Sequence, residues 1–128
     1  MATTWVRVTN PTRGTTLAEH CRMATSMRDR TVGLLGTSAL GPGDGLWIER
    51  SPSIHMFFMR YAIDAVFVDG DDRVVRIVER LRPWRIVAWA RGAKDCIELP
   101  AGSVQGTATA VGDVLRRERG EAPVSEAR

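Results

Sequence analysis

Three polar side chains interrupt a long apolar stretch of this chain. His55, Arg60 and Asp64 lie within residues 53–69, where nearly all the other side chains are apolar. A strand sends alternate side chains to opposite faces, and here both faces are apolar, so the stretch is expected to form one or two strands deep in the protein. Buried ionisable groups are costly unless they are paired. A site for ligand binding or acid/base chemistry is therefore expected here.

Asp64 has two interpretations. As a structural carboxylate, which we favour, it accepts hydrogen bonds from backbone amides or pairs with an arginine where the strand bends. As a functional group, it binds a ligand or acts in acid/base catalysis among apolar neighbours. Arg60 is about 13 Å away along a regular strand, so these two residues form an ion pair only if the chain turns between them. Glu98, from a neighbouring strand, is the further candidate for this site.

His55 has the opposite strand parity to Arg60 and Asp64. The three side chains share a face only if a bulge or bend intervenes, and residues 60–62 are the expected place for it. The favoured interpretation of His55 is a neutral, hydrogen-bonded ring near the sheet surface. The functional alternative is a general base or a group that contacts phosphate.

Metal and cofactor binding are not favoured by the sequence. Cys21 and Cys96 lack metal-ligand spacing and are expected to be free, partly buried thiols. A soft metal could be held by these cysteines with His55, Met56 and Met59, but methionine in an apolar strand is usually core. No phosphate-binding glycine loop or metal-binding motif occurs, so no cofactor is expected.

Turn signals divide the chain into short β-like segments. Strands are expected near residues 5–8, 15–24, 46–48, 54–68, 73–78, 96–99 and 114–115. The Asp-Gly-Asp-Asp turn at 69–72 predicts a hairpin between the two segments that flank it. The pattern predicts a mainly-β fold, a small β-sandwich or a barrel-like fold, with one short helix near residues 26–36. Residues 1–117 form the expected single domain, and 118–128 a charged, disordered tail.

The charge balance gives little information about the binding partners of this protein. The 18 basic and 15 acidic residues give a net charge of +3, which favours acidic partners only slightly. Arginines and a tryptophan alternate between Arg73 and Arg85, a pattern that can contact phosphates and stack a base. We instead expect a solvated face with Trp84 covering the edge of the core, and nucleic acid is not the favoured partner. No signal peptide or membrane-spanning segment is predicted, so a cytoplasmic monomer is the default expectation.

Four short motifs occur in an order that resembles a known family. They are Arg28 followed by Gly33-Leu34-Leu35, Phe58-Met59-Arg60 followed by Ile63-Asp64 and Phe67, Glu98-Leu99-Pro100-Ala101-Gly102, and Gly112-Asp113. Together they resemble the uncharacterised prokaryotic family called domain of unknown function 192, from roughly Leu17 to Leu115. The resemblance implies a compact β-rich fold and brings no reaction with it.

Three functions are therefore expected, in order of preference. The first is binding of a small polar or anionic molecule, or a peptide, in a shallow pocket near His55, Arg60, Asp64 and Glu98. The second is a hydrolase or isomerase that uses Asp64 and His55 as an acid/base pair. The third is an interaction or nucleic-acid-binding module that uses the stretch from Arg73 to Arg85.

Overall fold

The computed structural model describes residues 3–25, 40–57, 59–87 and 90–124. This part of the chain is mainly β, as predicted, and contains nine strands and one short helix. In chain order the elements are β1 (Trp5–Asn10), β2 (Thr15–Ala24), β3 (Asp44–Ile48), β4 (Ile54–His55), β5 (Ile63–Val68), β6 (Val74–Leu81), β7 (Ile86–Val87), β8 (Asp95–Pro100), α1 (Ser103–Thr107) and β9 (Arg116–Arg119). The helix predicted over 26–36 lies outside the described residues. Helix α1 was not predicted.

Seven strands form one sheet in the order β6-β5-β8-β3-β2-β1-β9, and β4 pairs with β7 in a separate two-stranded sheet. The β2–β3 pair is parallel, and the other strand pairs are antiparallel. The strands predicted near 5–8, 15–24, 46–48, 73–78 and 96–99 are confirmed. The hairpin predicted around the turn at 69–72 is confirmed as β5 and β6, which pair from Ile63↔Leu81 to Val68↔Val74.

The long apolar stretch forms two strands that belong to different sheets. β4 lies in the two-stranded sheet, and β5 lies inside the large sheet between β6 and β8. The described residues between them, 56–57 and 59–62, form no strand, and the amide of Met59 donates to the carbonyl of Met56 in a turn (3.3 Å). The predicted bend is therefore present, although it is longer than the segment 60–62.

The two end strands of the large sheet meet, so the barrel-like alternative describes the fold. Arg73 and Val114 form an antiparallel bridge just before β6 and β9. Three backbone hydrogen bonds reinforce it: Val74 N to Asp113 O (2.8 Å), Gly112 N to Val74 O (2.8 Å) and Leu115 N to Asp72 O (2.9 Å). Closing a sheet in this way removes part of its exposed edges, which are otherwise templates for aggregation.

Apolar side chains pack on both faces of the central strands. The barrel interior is filled by Val8, Leu17, Ala18, Cys21, Trp47, Val66, Val68, Val74, Ile97, Leu99, Val104 and Leu115. A second cluster lies between the large sheet and the two-stranded sheet and includes Leu46, Ile48, Ile54, Met56, Met59, Ile63, Ala65, Phe67, Val87 and Cys96. Because both faces are covered, every residue of β5 is buried, which explains its unbroken apolar pattern.

A buried polar network surrounds the Gly-Asp motif near the end of the chain. Asp113 Oδ2 accepts hydrogen bonds from Asn10 Nδ2 (2.9 Å), Arg13 Nε (3.0 Å) and the amide of Ala110 (3.0 Å). Its Oδ1 accepts a further bond from the Arg13 guanidinium (3.1 Å). The hydrogen bond from Arg13 is the largest of the effects that together lower the pKa of Asp113 to about 2. This network ties the turn after β1 to the segment that leads into β9.

Strand β9 is held by a side chain as well as by its ladder with β1. The Arg117 guanidinium lies 4.4 Å from the ring centroid of the buried Trp47 and donates to both oxygens of Asp72 (3.0 and 3.2 Å). The strand runs to Arg119, so the domain boundary placed at residue 117 lies inside it. The last strand was predicted near 114–115 and begins instead at Arg116.

Candidate functional site

Asp64 faces the barrel interior and is fully buried. Its Oδ1 accepts a hydrogen bond from the amide of Arg80 (2.9 Å), and its Oδ2 accepts bonds from the amides of Gly102 (3.1 Å) and Val104 (2.9 Å). A buried backbone N–H needs a hydrogen-bond acceptor, and the Asp64 carboxylate is the acceptor for these three amides. The geometry supports the structural interpretation of Asp64.

Local backbone geometry explains why Asp64 receives three amides. The β5–β6 pairing passes from Ile63↔Leu81 to Ala65↔Val78, which leaves an extra residue on β6 opposite Asp64. Arg80 sits at this irregularity with a φ of 51°. Gly102 has a φ of 96°, a conformation that glycine adopts at little cost, and it directs the chain into α1.

Glu98 lies on β8, next to β5, but on the other face of the sheet. Glu98 pairs with Ala65, whereas Asp64 pairs with Leu99, and residues paired across a ladder share a face. Glu98 is fully buried, on the face where Ala65 packs between the two sheets. The structure therefore does not bring Asp64 and Glu98 together.

His55 and Arg60 both lie on the side of the large sheet that carries the two-stranded sheet. His55 is half-buried on β4, and Arg60 is exposed in the connection between β4 and β5. The apolar neighbours of His55, Ile54 and Met56, point into the core, so His55 points outward from the small sheet. The layer of apolar side chains and the large sheet separate His55 from Asp64, and the predicted acid/base pair is not assembled.

A groove of about 510 Å³ opens beside His55. It is lined by Arg50, Ser51, Pro52, Ser53, Ile54, His55, Phe57 and Ile86. Cavities of this size accommodate small-molecule ligands. Of the four predicted site residues, only His55 lines this groove.

The wall of the groove at residues 50–53 is fixed by contacts with the start of β8. The buried carboxylate of Asp95 accepts bonds from Trp47 Nε1 (2.8 Å) and from the amide of Arg50 (3.0 Å). The amide of Ser51 donates to the carbonyl of Lys94 (2.8 Å), and its hydroxyl donates to the carbonyl of Ser53 (2.8 Å). The groove is thus preformed by backbone and buried polar contacts, which reduces the ordering cost of binding.

Three rings lie next to one another beside the groove. The ring centroids of His55 and Phe57 are 4.7 Å apart, and those of Phe57 and Trp84 are 5.9 Å apart. Phe57 is 37%, Trp84 58% and the neighbouring Ile86 58% exposed. We call the side chains of His55, Phe57, Trp84 and Ile86 together the aromatic patch. Contiguous exposed apolar groups of this kind mark interaction sites.

The hydrogen bond at the imidazole determines which nitrogen of His55 donates. Nδ1 of His55 accepts from the amide of Phe57 (3.3 Å). The neutral ring must therefore carry its proton on Nε2, which becomes the donor of the ring. The imidazole is therefore held in one orientation beside Phe57.

Four exposed arginines lie close in sequence to members of the aromatic patch: Arg50, Arg60, Arg82 and Arg85. None of these four side chains forms an ion pair within the described part of the chain. Arg50 brings a positive charge to the groove that it lines, and Arg82 and Arg85 belong to the turn that carries Trp84.

Sequence reasoning missed most of this site. Trp84 was expected to cover the edge of the core, and it is instead more than half exposed. Phe57, Ile86 and Arg50 were not singled out. The available signal was the tetrapeptide at 82–85, a proline-containing turn in which a large aromatic residue occupies a position that normally carries a small or polar one.

The cysteines do not share an environment with His55. Cys21 packs in the barrel interior, and Cys96 packs in the cluster between the sheets. Neither forms a disulfide, and both are fully buried, more deeply than predicted. Burial raises the pKa of the Cys21 thiol to about 12. No group of three or more His, Cys, Asp or Glu side chains positioned for a metal occurs among the described residues.

These observations define a small barrel-like β protein with a preformed surface groove and an exposed aromatic patch. The DUF192 family profile, described as "Uncharacterized ACR", matches residues 8–117. The chain belongs to this family, as the four motifs predicted. No helix in the described ranges is long and apolar enough to cross a membrane.

The chain is similar to archaeal relatives and to bacterial proteins of known structure. It is 44% identical to a UPF0127 protein of Thermococcus sibiricus over 49% of this chain and 40% of that protein, and 39% identical to one of Pyrococcus furiosus over 52% and 57%. It thus spans about half the length of these curated relatives. A third, from Thermococcus gammatolerans, is 32% identical over 84% and 72%.

Two crystal structures share the fold. A Sinorhizobium meliloti protein, provisionally described as a transcription regulator, superimposes with a TM-score of 0.76 at 24% identity, over 91% of this chain and 94% of that one. A Novosphingobium aromaticivorans protein of unknown function gives a TM-score of 0.73 at 21% identity, over 89% and 84%. At these identities the likeness concerns the fold alone.

Proposed function

We propose that this protein binds a small anionic ligand with a flat apolar portion in the groove beside His55. The observation that carries the proposal is the convergence of a cation, an imidazole ring and exposed apolar side chains on one preformed groove. Arg50 provides the positive charge that recognises an anion, and Phe57 and Ile86, next to the ring of His55, provide the apolar surface.

The energetic argument rests on exposed groups that do not serve the fold. Leaving Phe57 and Ile86 partly in water forgoes burial worth about 1 kcal/mol each. A ligand that covers them recovers this energy, and its negative charge finds Arg50 at the same groove. The proposed ligand belongs to the class expected from the sequence, a small polar or anionic molecule or a peptide, narrowed to an anion. Of the four expected residues His55 is kept, and Arg50, Phe57 and Ile86 take the place of Arg60, Asp64 and Glu98.

The acid/base alternative gains no support from the geometry. Asp64 uses both oxygens on backbone amides inside the barrel, on the far side of the sheet from His55. A general base must reach the reacting proton directly or through one water. Binding rather than hydrolysis or isomerisation is the function that this arrangement favours.

Chemical-shift titration of ¹⁵N-labelled protein tests the proposal. Phenyl phosphate combines the two recognised features, whereas inorganic phosphate and benzyl alcohol each carry one of them. We expect phenyl phosphate to shift the amides of residues 50–51, 53–57 and 86 in a saturable manner, and each single-feature probe to bind about tenfold more weakly or worse.

Matched arginine variants locate the binding. Arg50→Gln should weaken phenyl phosphate binding several-fold, and Arg116→Gln, an exposed arginine on β9, should leave it unchanged. If no probe produces saturable shifts, or if the shifted amides lie away from the groove, the proposal is wrong.

A further inference from the structure

We infer that the aromatic patch and its arginines bind single-stranded nucleic acid, with bases stacked on Phe57 and Trp84 and phosphates held by Arg82 and Arg85. This inference rests on the proposed function, because it extends the same recognition of an anion and a flat ring from a small ligand to the phosphates and bases of an oligonucleotide. Stacking on an exposed aromatic platform beside basic side chains is the general means of binding single strands without sequence preference.

The backbone of Trp84 indicates that its position serves an external contact. The amide of Arg85 donates to the carbonyl of Arg82 (3.3 Å), which closes a turn with Pro83 second and Trp84 third. Trp84 has a φ of 69°, a left-handed conformation that suits glycine and is strained for a bulky residue. The indole is 58% exposed, so burial in the core does not repay this cost.

Backbone hydrogen bonds fix the turn to the small sheet, and this places the indole of Trp84 at the surface. The amide of Trp84 donates to the carbonyl of Met56 (2.7 Å), and the amide of Met56 donates to the carbonyl of Arg85 (2.7 Å). These bonds set the indole beside Phe57, with an interplanar angle of 33°. Two fixed, tilted rings offer faces on which bases of a flexible strand can stack.

The charge around the rings suits a phosphate backbone. Arg82 and Arg85 are the first and last residues of the turn that carries Trp84 and are exposed, and Arg50 lines the adjoining groove. Arginine both pairs with phosphate and stacks on aromatic faces, so it serves this purpose better than lysine. The net charge of +3 predicts a short footprint with few phosphates rather than an extended tract on duplex DNA.

Fluorescence anisotropy with a labelled octamer of deoxythymidine tests the inference. We expect saturable binding at about 50 mM salt that weakens at about 200 mM, as counterion release requires. Trp84→Gly should reduce affinity about five-fold or more, while Trp84→Phe should retain most of it. Trp84→Gly should be at least as stable as the parent, because glycine relieves the left-handed backbone.

Charge-matched double variants separate the site from general attraction. Arg82→Ala with Arg85→Ala should weaken binding and reduce the slope of log affinity against log salt by about 0.7 for each phosphate that the variant no longer neutralises. Arg116→Ala with Arg119→Ala removes the same charge from β9 and should change neither value appreciably.

Two results would overturn the inference in distinguishable ways. If the octamer does not bind while phenyl phosphate still shifts the groove amides, the proposed function stands and the nucleic-acid assignment is wrong. The assignment is also wrong if the octamer binds equally well to Trp84→Gly or if both double variants weaken it alike. If neither probe binds, both proposals are wrong.

Discussion

Asp64 and Glu98 lie on adjacent strands, one register position apart, yet their carboxylates occupy opposite faces of the same sheet. Asp64 faces the barrel interior, and Glu98 faces the apolar layer beneath the two-stranded sheet. One carboxylate therefore organises the β6 bulge and the loop before α1, while the other is buried between the sheets. Neither lines the groove beside His55.

Asp64→Asn should lower the free energy of unfolding by about 2 kcal/mol or more. The asparagine retains one acceptor oxygen, so its NH₂ group must face a backbone N–H that then lacks a partner. Urea titration monitored by fluorescence gives the value.

Asp69→Asn is the matched control for this prediction. Asp69 accepts bonds from the amides of Asp71 and Arg73 through Oδ1 alone, so an asparagine can keep both. We expect a change below about 1 kcal/mol. Equal effects of the two substitutions would mean that the hydrogen bonds of Asp64 are not what stabilises this region.

Arg117→Ala should destabilise the fold by about 1–2 kcal/mol. The substitution removes the cation–π interaction with buried Trp47 and the paired hydrogen bonds with Asp72 that help to close the barrel. Arg116→Ala, on the same strand and exposed, should change stability by less than about 0.5 kcal/mol. Denaturant titration of both variants checks the difference, and the absence of one would contradict the role given to Arg117.

Neither cysteine should react with a thiol reagent in the native protein at pH 8. Both are fully buried, and with a pKa of about 12 roughly one Cys21 thiol in ten thousand is ionised at this pH. Their positions on opposite faces of the sheet also prevent a disulfide. Reaction with 5,5′-dithiobis(2-nitrobenzoate) should begin only at urea concentrations that unfold the chain, and rapid labelling without urea would contradict this burial.

Acid should weaken the fold partly through Asp113. Its pKa is lowered to about 2 in the folded state, mainly by the hydrogen bond from Arg13, against an ordinary value near 3.8. A carboxyl with a lowered pKa contributes stability that is complete above about pH 4 and is lost as the pH falls toward 2. Asp113→Asn should be less stable at pH 6 and should lose less stability between pH 4 and pH 2.

Denaturant titrations of parent and Asp113→Asn across this range provide the measurement. Arg13→Ala should show the same flattening, because it removes the main cause of the lowered pKa. If the free energy of unfolding falls equally between pH 4 and pH 2 in the parent and in both variants, a group other than Asp113 causes the loss of stability in acid.

Much of the secondary structure was predictable because its causes are local. Alternating side chains in residues 15–24 and the turn at 69–72 predict β2 and the β5–β6 hairpin, and both are confirmed. The four family motifs identify the family from short segments. Helix α1 was missed because five residues without a periodic apolar stripe give no sequence signal.

Almost every residue of the candidate site could be assigned only from the tertiary structure. The pattern at 53–69 singled out His55, which lines the groove, and predicted a bend after it, but it could not assign Asp64 and Glu98 to faces, since a face depends on bulges and on pairing with β8.

The sequence alone determined that this chain is a mainly-β member of DUF192, with buried central strands and a polar interruption near His55. Only the tertiary structure decided that the sheet closes on itself and that the tetrapeptide at 82–85 docks on Met56 and displays Trp84 beside Phe57. The reason is physical: periodicity and turn chemistry act within a few residues, whereas exposure and proximity depend on which distant strands share their hydrogen bonds.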